Sequence, residues 1–229
     1  MKVRKENFVI DSKKCIGYIT DTAKYLLIQP VDEHDIKVLD NEVEEILKNT
    51  DELFSLIAFK IEDWNNELSP WEAPPAFGNK SFGSGAKDTL EFIESKLIPT
   101  VKEKYNLGVE IKFILGGYSL AGLFSLWSAY KSNTFSGIAA ASPSVWFNGW
   151  GEFMNNNTPL SNTIYLSLGD SEEKTKNKVM SAVGDNIRKQ EELLKNDNMN
   201  TILEWNKGGH FSNSDIRVAK AFTWCIENV

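Results

Sequence analysis

Ser119 stands in Gly117-Tyr118-Ser119-Leu120-Ala121-Gly122, where small residues flank a serine on both sides. A serine hydroxyl is a poor nucleophile until a base takes its proton. The chain has only two histidines that could do so. His210, in Lys207-Gly208-Gly209-His210-Phe211, follows a strand-like run late in the chain and is the better placed base. His34 lies among Asp32, Glu33 and Asp35 at a helix start and reads as a solvated or capping residue. A carboxylate would complete the set by fixing the imidazole tautomer and stabilising the imidazolium. Gly169-Asp170-Ser171-Glu172-Glu173-Lys174 offers Asp170, Glu172 and Glu173, which residue type alone does not separate. Asp185 and Asp197 read as solvated helix residues. Such a set performs acyl transfer through a serine. Ester hydrolysis is the leading reading, with thioesterase, acyltransferase or peptidase chemistry as alternatives, because the set is indifferent to the leaving group. A non-catalytic ligand-binding protein on a hydrolase scaffold is the contrasting one.

This chemistry needs rigid elements behind it. Ser119 follows the strand-like VEIKFILGG and precedes the apolar LAGLFSLWSAY, the strand–turn–helix setting of a nucleophile elbow. The Leu120 N–H at the helix start would face a developing oxyanion. Strands are expected at 15–20, 24–29, 53–61, 109–115, 137–141, 163–168 and 200–205. Helices are expected at 36–47, from Asp88 to about Tyr105, and at 120–130, 178–194 and 215–226. Strands alternating with helices predict an α/β class, a mostly parallel central sheet with helices on both faces in three layers. Chemistry in such sheets gathers at the carboxyl ends of the strands. Between them, residues 62–86 form a long polar and aromatic stretch with three prolines and three glycines, expected to lie over the active site.

Bulk properties narrow the class of function. The 229 residues suit one domain spanning 1–229, and 41% hydrophobic residues can build a sizeable core. A net charge of −7 argues against a nucleic-acid partner, which needs a basic footprint. The charged opening Met1 to Asn7 leads into no long apolar stretch, so no signal peptide or membrane association is expected. Cys15 and Cys225 lie at opposite ends and fit a reduced, cytoplasmic protein; they form no metal site. No cofactor is called for, and the expected partner is a small-molecule ester.

Four segments together resemble a known family. These are GYSLAGLFSLW, Ala141-Ser142-Pro143-Ser144-Val145-Trp146, the G-x-x-E ending at Glu172, and Gly208-Gly209-His210-Phe211. They are similar to the esterase family of the α/β-hydrolase superfamily that includes the enterochelin-type siderophore esterases and esterase D. The likeness is good over about residues 85–229 and poor before them. It implies an α/β-hydrolase fold, with Ser119 as nucleophile, His210 as base and Glu172 as acid. Asp170 stays the alternative. Family members carry His-Gly or Asp-Gly after the third strand, where a backbone N–H completes the oxyanion hole. This chain has Gln29-Pro30-Val31-Asp32 there, and Pro30 has no N–H, so Val31 is the donor by position. The segment Asp63 to Trp71 contains no Arg or Lys, unlike the basic surroundings that an anionic siderophore needs. A neutral or cationic ester is expected instead, with Trp64, Asn65 and Trp146 at the substrate; Trp71, between prolines, reads equally as a loop anchor.

Overall fold

In a computed structural model, which describes residues 3–76 and 78–229, eight strands form one sheet in the order β1-β2-β4-β3-β5-β6-β7-β8. The strands are β1 (Arg4–Ile10), β2 (Lys13–Ile19), β3 (Tyr25–Val31), β4 (Phe54–Lys60), β5 (Lys112–Tyr118), β6 (Gly137–Ala141), β7 (Thr163–Gly169) and β8 (Asn200–Asn206). From β3 to β8 all pairings are parallel, and β1 and β2 join antiparallel at one edge. Every residue of β6 and β7, and all but the last of β4, is buried. That is why these strands read as continuous apolar runs rather than alternating ones: helices cover both faces.

One face carries α1 (Glu33–Asn49) and α8 (Ser214–Asn228), packed on Leu27, Leu56, Ile114 and Ala139. The opposite face carries α3 (Ala86–Phe92), a π turn (Ile93–Leu97), α4 (Ile98–Lys104), α5 (Leu120–Ala129), α6 (Trp150–Asn156) and α7 (Val183–Asn196). This is the three-layer α/β-hydrolase arrangement. All residues of α5 are buried, as an all-round apolar helix requires; its Ser125 and Ser128 return their hydroxyls to the carbonyls of Ala121 and Phe124, at 2.8 Å each. Each large side chain buried this fully contributes about 1.5–3 kcal/mol of apolar transfer.

The structure adds elements that the hydrophobic pattern does not announce. Strand β1 alternates exposed Lys5, Asn7 and Val9 with half-buried Glu6 and Phe8, as its edge position allows. The short helix α6 was not expected. Residues 62–86 are not structureless: they hold α2 (Trp64–Glu67) and an antiparallel bridge between Ala73 and Phe82. Cys15 and Cys225 are free and buried, and burial pushes both thiols up, away from the reactive range. No helix among the described residues is long and apolar enough to cross a membrane.

The strand order fixes where a site can form. From β3 the chain goes outward to β4, then returns past β3 to β5 and proceeds outward to β8. Adjacent strands β3 and β5 therefore send their following segments to opposite sides, opening a crevice at their carboxyl ends. Ser119 follows β5 and Asp32 follows β3.

Candidate active site

Ser119 sits at φ 58°, ψ −119°, a left-handed conformation costing about 1–3 kcal/mol that the turn between β5 and α5 imposes. Gly117 makes the turn possible, since a Cβ there would lie 2.7 Å from the Ala121 Cβ. Ala at 121 is tolerated because its methyl fills the space that Gly117 leaves. Although Ser119 occupies the N-cap position of α5, its side chain makes no cap to the helix. Instead Oγ lies 2.9 Å from His210 Nε2 and 3.3 Å from Ser144 Oγ. Leu120, the first residue of α5, has an N–H without a carbonyl partner inside the helix.

His210 Nδ1 is 2.7 Å from Glu172 Oε2. Glu172 is 8% exposed, and its other oxygen accepts from Gly169 N (2.8 Å), Ser142 Oγ (2.9 Å) and Arg217 Nη1 (2.9 Å). Burial pushes this carboxyl up. The hydrogen bond and charge of His210, with the Gly169 N–H and the Ser142 hydroxyl, outweigh burial and hold it below the ordinary carboxylate range. The neighbouring acids go elsewhere. Asp170 accepts from the Gly208 N–H at 3.0 Å, bracing the His210 loop, and Glu173 pairs with Arg188 at the surface.

Two clefts meet at His210 and Phe211, a side chain that is 94% exposed. The first, about 270 Å³, is lined by Ser119, Tyr118, Trp64 and, at the start of α1, Asp32, His34 and Asp35. The second, about 220 Å³, is bounded by Glu172, Trp146, Met180 and Val183. Burial and the charge of Asp32 push Asp35 up to about 7. Among the described residues no three metal-ligating side chains converge.

A family model described as "Putative esterase" matches residues 47–212. The chain belongs to this esterase family. Its fold is of the α/β-hydrolase type. No curated protein sequence matches it. Among solved structures, it resembles the siderophore hydrolase EstA from Aspergillus nidulans at 17% identity and TM-score 0.71, covering 100% of this chain and 95% of that one. An IroE-like serine hydrolase from Shewanella oneidensis aligns at 13% identity and TM-score 0.78, over 97% and 79% of the two chains. The enterobactin esterase FES from Shigella flexneri aligns at 11% identity and TM-score 0.69, over 99% and 60%. At these identities the likeness is one of fold.

Within this esterase, several residues singled out by sequence lie away from Ser119. Val31 ends β3 in register with Lys60, and its carbonyl accepts from Ile61 N at 2.9 Å. It borders a groove with Cys15 and Ala58, and it is the next residue, Asp32, that borders the Ser119 cleft. The ladder runs to Val31, two residues past the expected strand end at 29. Asn65 lines neither cleft: its amide donates to the Lys80 carbonyl at 3.4 Å, so it stitches the 62–86 segment together. Trp71 is an anchor, stacked on Trp150 with its Nε1 donating to the Asn148 carbonyl at 2.8 Å. His34 is exposed yet borders the first cleft. Sequence reading passed over Tyr118, Ser142 and Arg217. Arg217 had a readable signal, because it shares a helix stripe with Ala221 and Cys225, both fully buried.

Proposed function

We propose that this esterase hydrolyses a small carboxylic ester through an acyl-enzyme on Ser119. The observation that carries the reading is the continuous line of contacts from Glu172 Oε2 to His210 Nδ1 (2.7 Å) and from His210 Nε2 to Ser119 Oγ (2.9 Å). In the matching tautomer, Nδ1–H donates to the carboxylate and the Ser119 hydroxyl donates to Nε2. Oγ attacks the ester carbonyl while Nε2 takes its proton. The Leu120 N–H stabilises the oxyanion, and collapse of the tetrahedral intermediate expels the alcohol, which takes the proton back from Nε2. Water then attacks the acyl carbonyl, passes a proton to His210, and the carboxylic acid leaves as that proton returns to Oγ. Glu172 holds the imidazole in place and balances its transient charge without taking the proton.

The walls favour a neutral or cationic substrate. Among the described residues no Lys or Arg borders either cleft, Asp32 and Asp35 border the first, and Trp64 and Phe211 offer aromatic faces. An ammonium group against such faces gains about 0.5–2 kcal/mol. The siderophore hydrolases share the fold, but a polyanionic iron complex would meet Asp32 and Asp35, and no lysine or arginine, among the described residues lining the first cleft.

Matched aryl esters with ammonium-bearing, neutral and carboxylate-bearing acyl chains test both parts, using wild type and Ser119→Ala. Wild type is expected to turn over the neutral and cationic esters with the lower KM. The variant is expected to lose on the order of 10⁴-fold or more in kcat. Undiminished turnover by Ser119→Ala would refute the serine assignment, and a preference for the anionic ester would refute the charge assignment.

A further inference from the structure

Arg217 is 2% exposed, in the first turns of α8, and touches no open cleft. Its Nη1 donates to Glu172 Oε1 (2.9 Å), Tyr118 Oη (3.0 Å) and Ser142 Oγ (3.1 Å). Its Nη2 donates to the carbonyls of Gly209 (3.1 Å) and Lys207 (3.3 Å). These acceptors come from four parts of the chain. Tyr118 immediately precedes Ser119, Ser142 follows β6, Glu172 follows β7, and Lys207 and Gly209 belong to the loop that carries His210. Tyr118 closes the circle by donating its hydroxyl to the His210 carbonyl at 2.7 Å. The backbone leaves room for this arrangement. A Cβ on Gly169 would lie 2.3 Å from the Gly208 carbonyl and 3.0 Å from Arg217 Nη2.

Stability alone gives little reason for a cation here. Desolvating a guanidinium costs several kcal/mol, and well-packed apolar residues of similar volume often replace buried ion pairs without loss. A planar fork of fixed charge does what an apolar residue cannot: it sets the direction of a carboxylate and of several carbonyls at once.

We propose that Arg217 is a positioning residue: one buried guanidinium holds Glu172, the His210 loop and the residue before Ser119 in a single geometry, and its charge opposes proton uptake by the Glu172–His210 pair. This rests on the reading of Ser119, His210 and Glu172 given above. The other titratable or charged side chains around the pair are Tyr118 on β5, Asp170 and Glu173 after β7, Lys207 in the His210 loop, and Asp32, His34 and Asp35 at the start of α1. Among the described residues Arg217 is the fixed cation bonded to Glu172.

The test is the pH dependence of kcat and KM for wild type, Arg217→Met and Arg217→Lys, with Ser119→Ala alongside. Arg217→Met removes both charge and fork. It is expected to lower kcat about 100-fold with KM within about threefold, and to move the acid limb of kcat/KM upward by about one pH unit. Arg217→Lys keeps the charge and loses the fork, so the acid limb stays while kcat falls about tenfold. A merely structural role would lower the melting temperature without moving the acid limb. A folded Arg217→Met with the wild-type acid limb and kcat overturns the proposal. If that variant does not fold, wild-type kcat in Arg217→Lys overturns it. Activity in Ser119→Ala would instead sink the underlying reading, whereas an inactive Ser119→Ala beside wild-type-like Arg217 variants sinks only the role of Arg217.

Discussion

Two buried carboxyl groups, one on each side of the crevice, have opposite fates. Glu172, between β7 and α8, receives hydrogen bonds from His210, Gly169, Ser142 and Arg217 and is held below the usual carboxylate range despite burial. Glu42, on α1 and 2% exposed, has a single side-chain partner, the Gln29 amide at 3.3 Å. Burial pushes Glu42 well above the carboxylate range, and the charges of Asp35 and Asp215 push the same way against the Gln29 bond. Its Oε1 and the Gln29 Oε1 both lack a partner among the described residues. Both carboxyls are buried, Glu42 the more deeply, and the number and charge of the donors at Glu172 turn its shift downward while Glu42 shifts upward.

Breaking the well-supported side should have the largest effect. Glu172→Gln keeps the shape but removes the charge that orients His210 and pairs with Arg217. Its kcat is expected to fall on the order of 10³–10⁴-fold in steady-state assays of the aryl ester. It should also melt at a clearly lower temperature, because a buried guanidinium without its counter-charge costs about 3–5 kcal/mol. Retained kcat would show that Glu172 does not act through His210.

The poorly supported side should respond the other way. A carboxyl whose value is raised by folding binds more protons in the native than in the unfolded state, so stability declines as pH rises above about 4.5 towards its folded value. Glu42→Gln removes that slope and can still pair with Gln29. The variant is expected to be more stable than wild type by about 1–2 kcal/mol at neutral pH, with the gap widening from pH 5 upward in denaturant titrations. Glu172 has the reverse sign: it contributes stability above its unfolded value, and this is lost as pH falls through its lowered folded one. A Glu42→Gln gap that is constant with pH would mean that Glu42 is already ionised in the folded protein.

The smallest effect belongs to the residue beside Glu172. Glu173 forms a two-pronged pair with Arg188, at 2.9 and 3.0 Å, on the surface. Glu173→Gln is expected to cost less than about 1 kcal/mol and to leave kcat unchanged. A large loss of kcat would shift the acid role towards Glu173.

These contrasts also explain what the sequence could and could not say. Ser119 was legible because an apolar strand and an apolar helix bracket it, and His210 because the alternative histidine sits in an acidic helix start. The acid was not separable by residue type, since Asp170, Glu172 and Glu173 fall within four residues. The turn at 172–174 sends the Glu172 side chain inward to His210 and the Glu173 side chain outward to Arg188, and the resemblance names Glu172. Val31 and Asn65 lie outside the linings of both clefts, because register and loop stitching depend on partners distant in sequence. Arg217 stayed hidden because an arginine in an amphipathic helix ordinarily faces water. The sheet core from β3 to β7 was legible as apolar runs, while β1 was not, because an edge strand needs only one buried side.

The most direct test of the central claim is peptide mapping by mass spectrometry after reaction of the folded protein with a fluorophosphonate, for wild type and His210→Ala. The expected result is one adduct on the peptide carrying Ser119 in wild type, formed at least about 10³-fold more slowly in His210→Ala. An adduct on Ser144, which lies 3.3 Å from Ser119 Oγ, or no adduct on folded wild type, would contradict it.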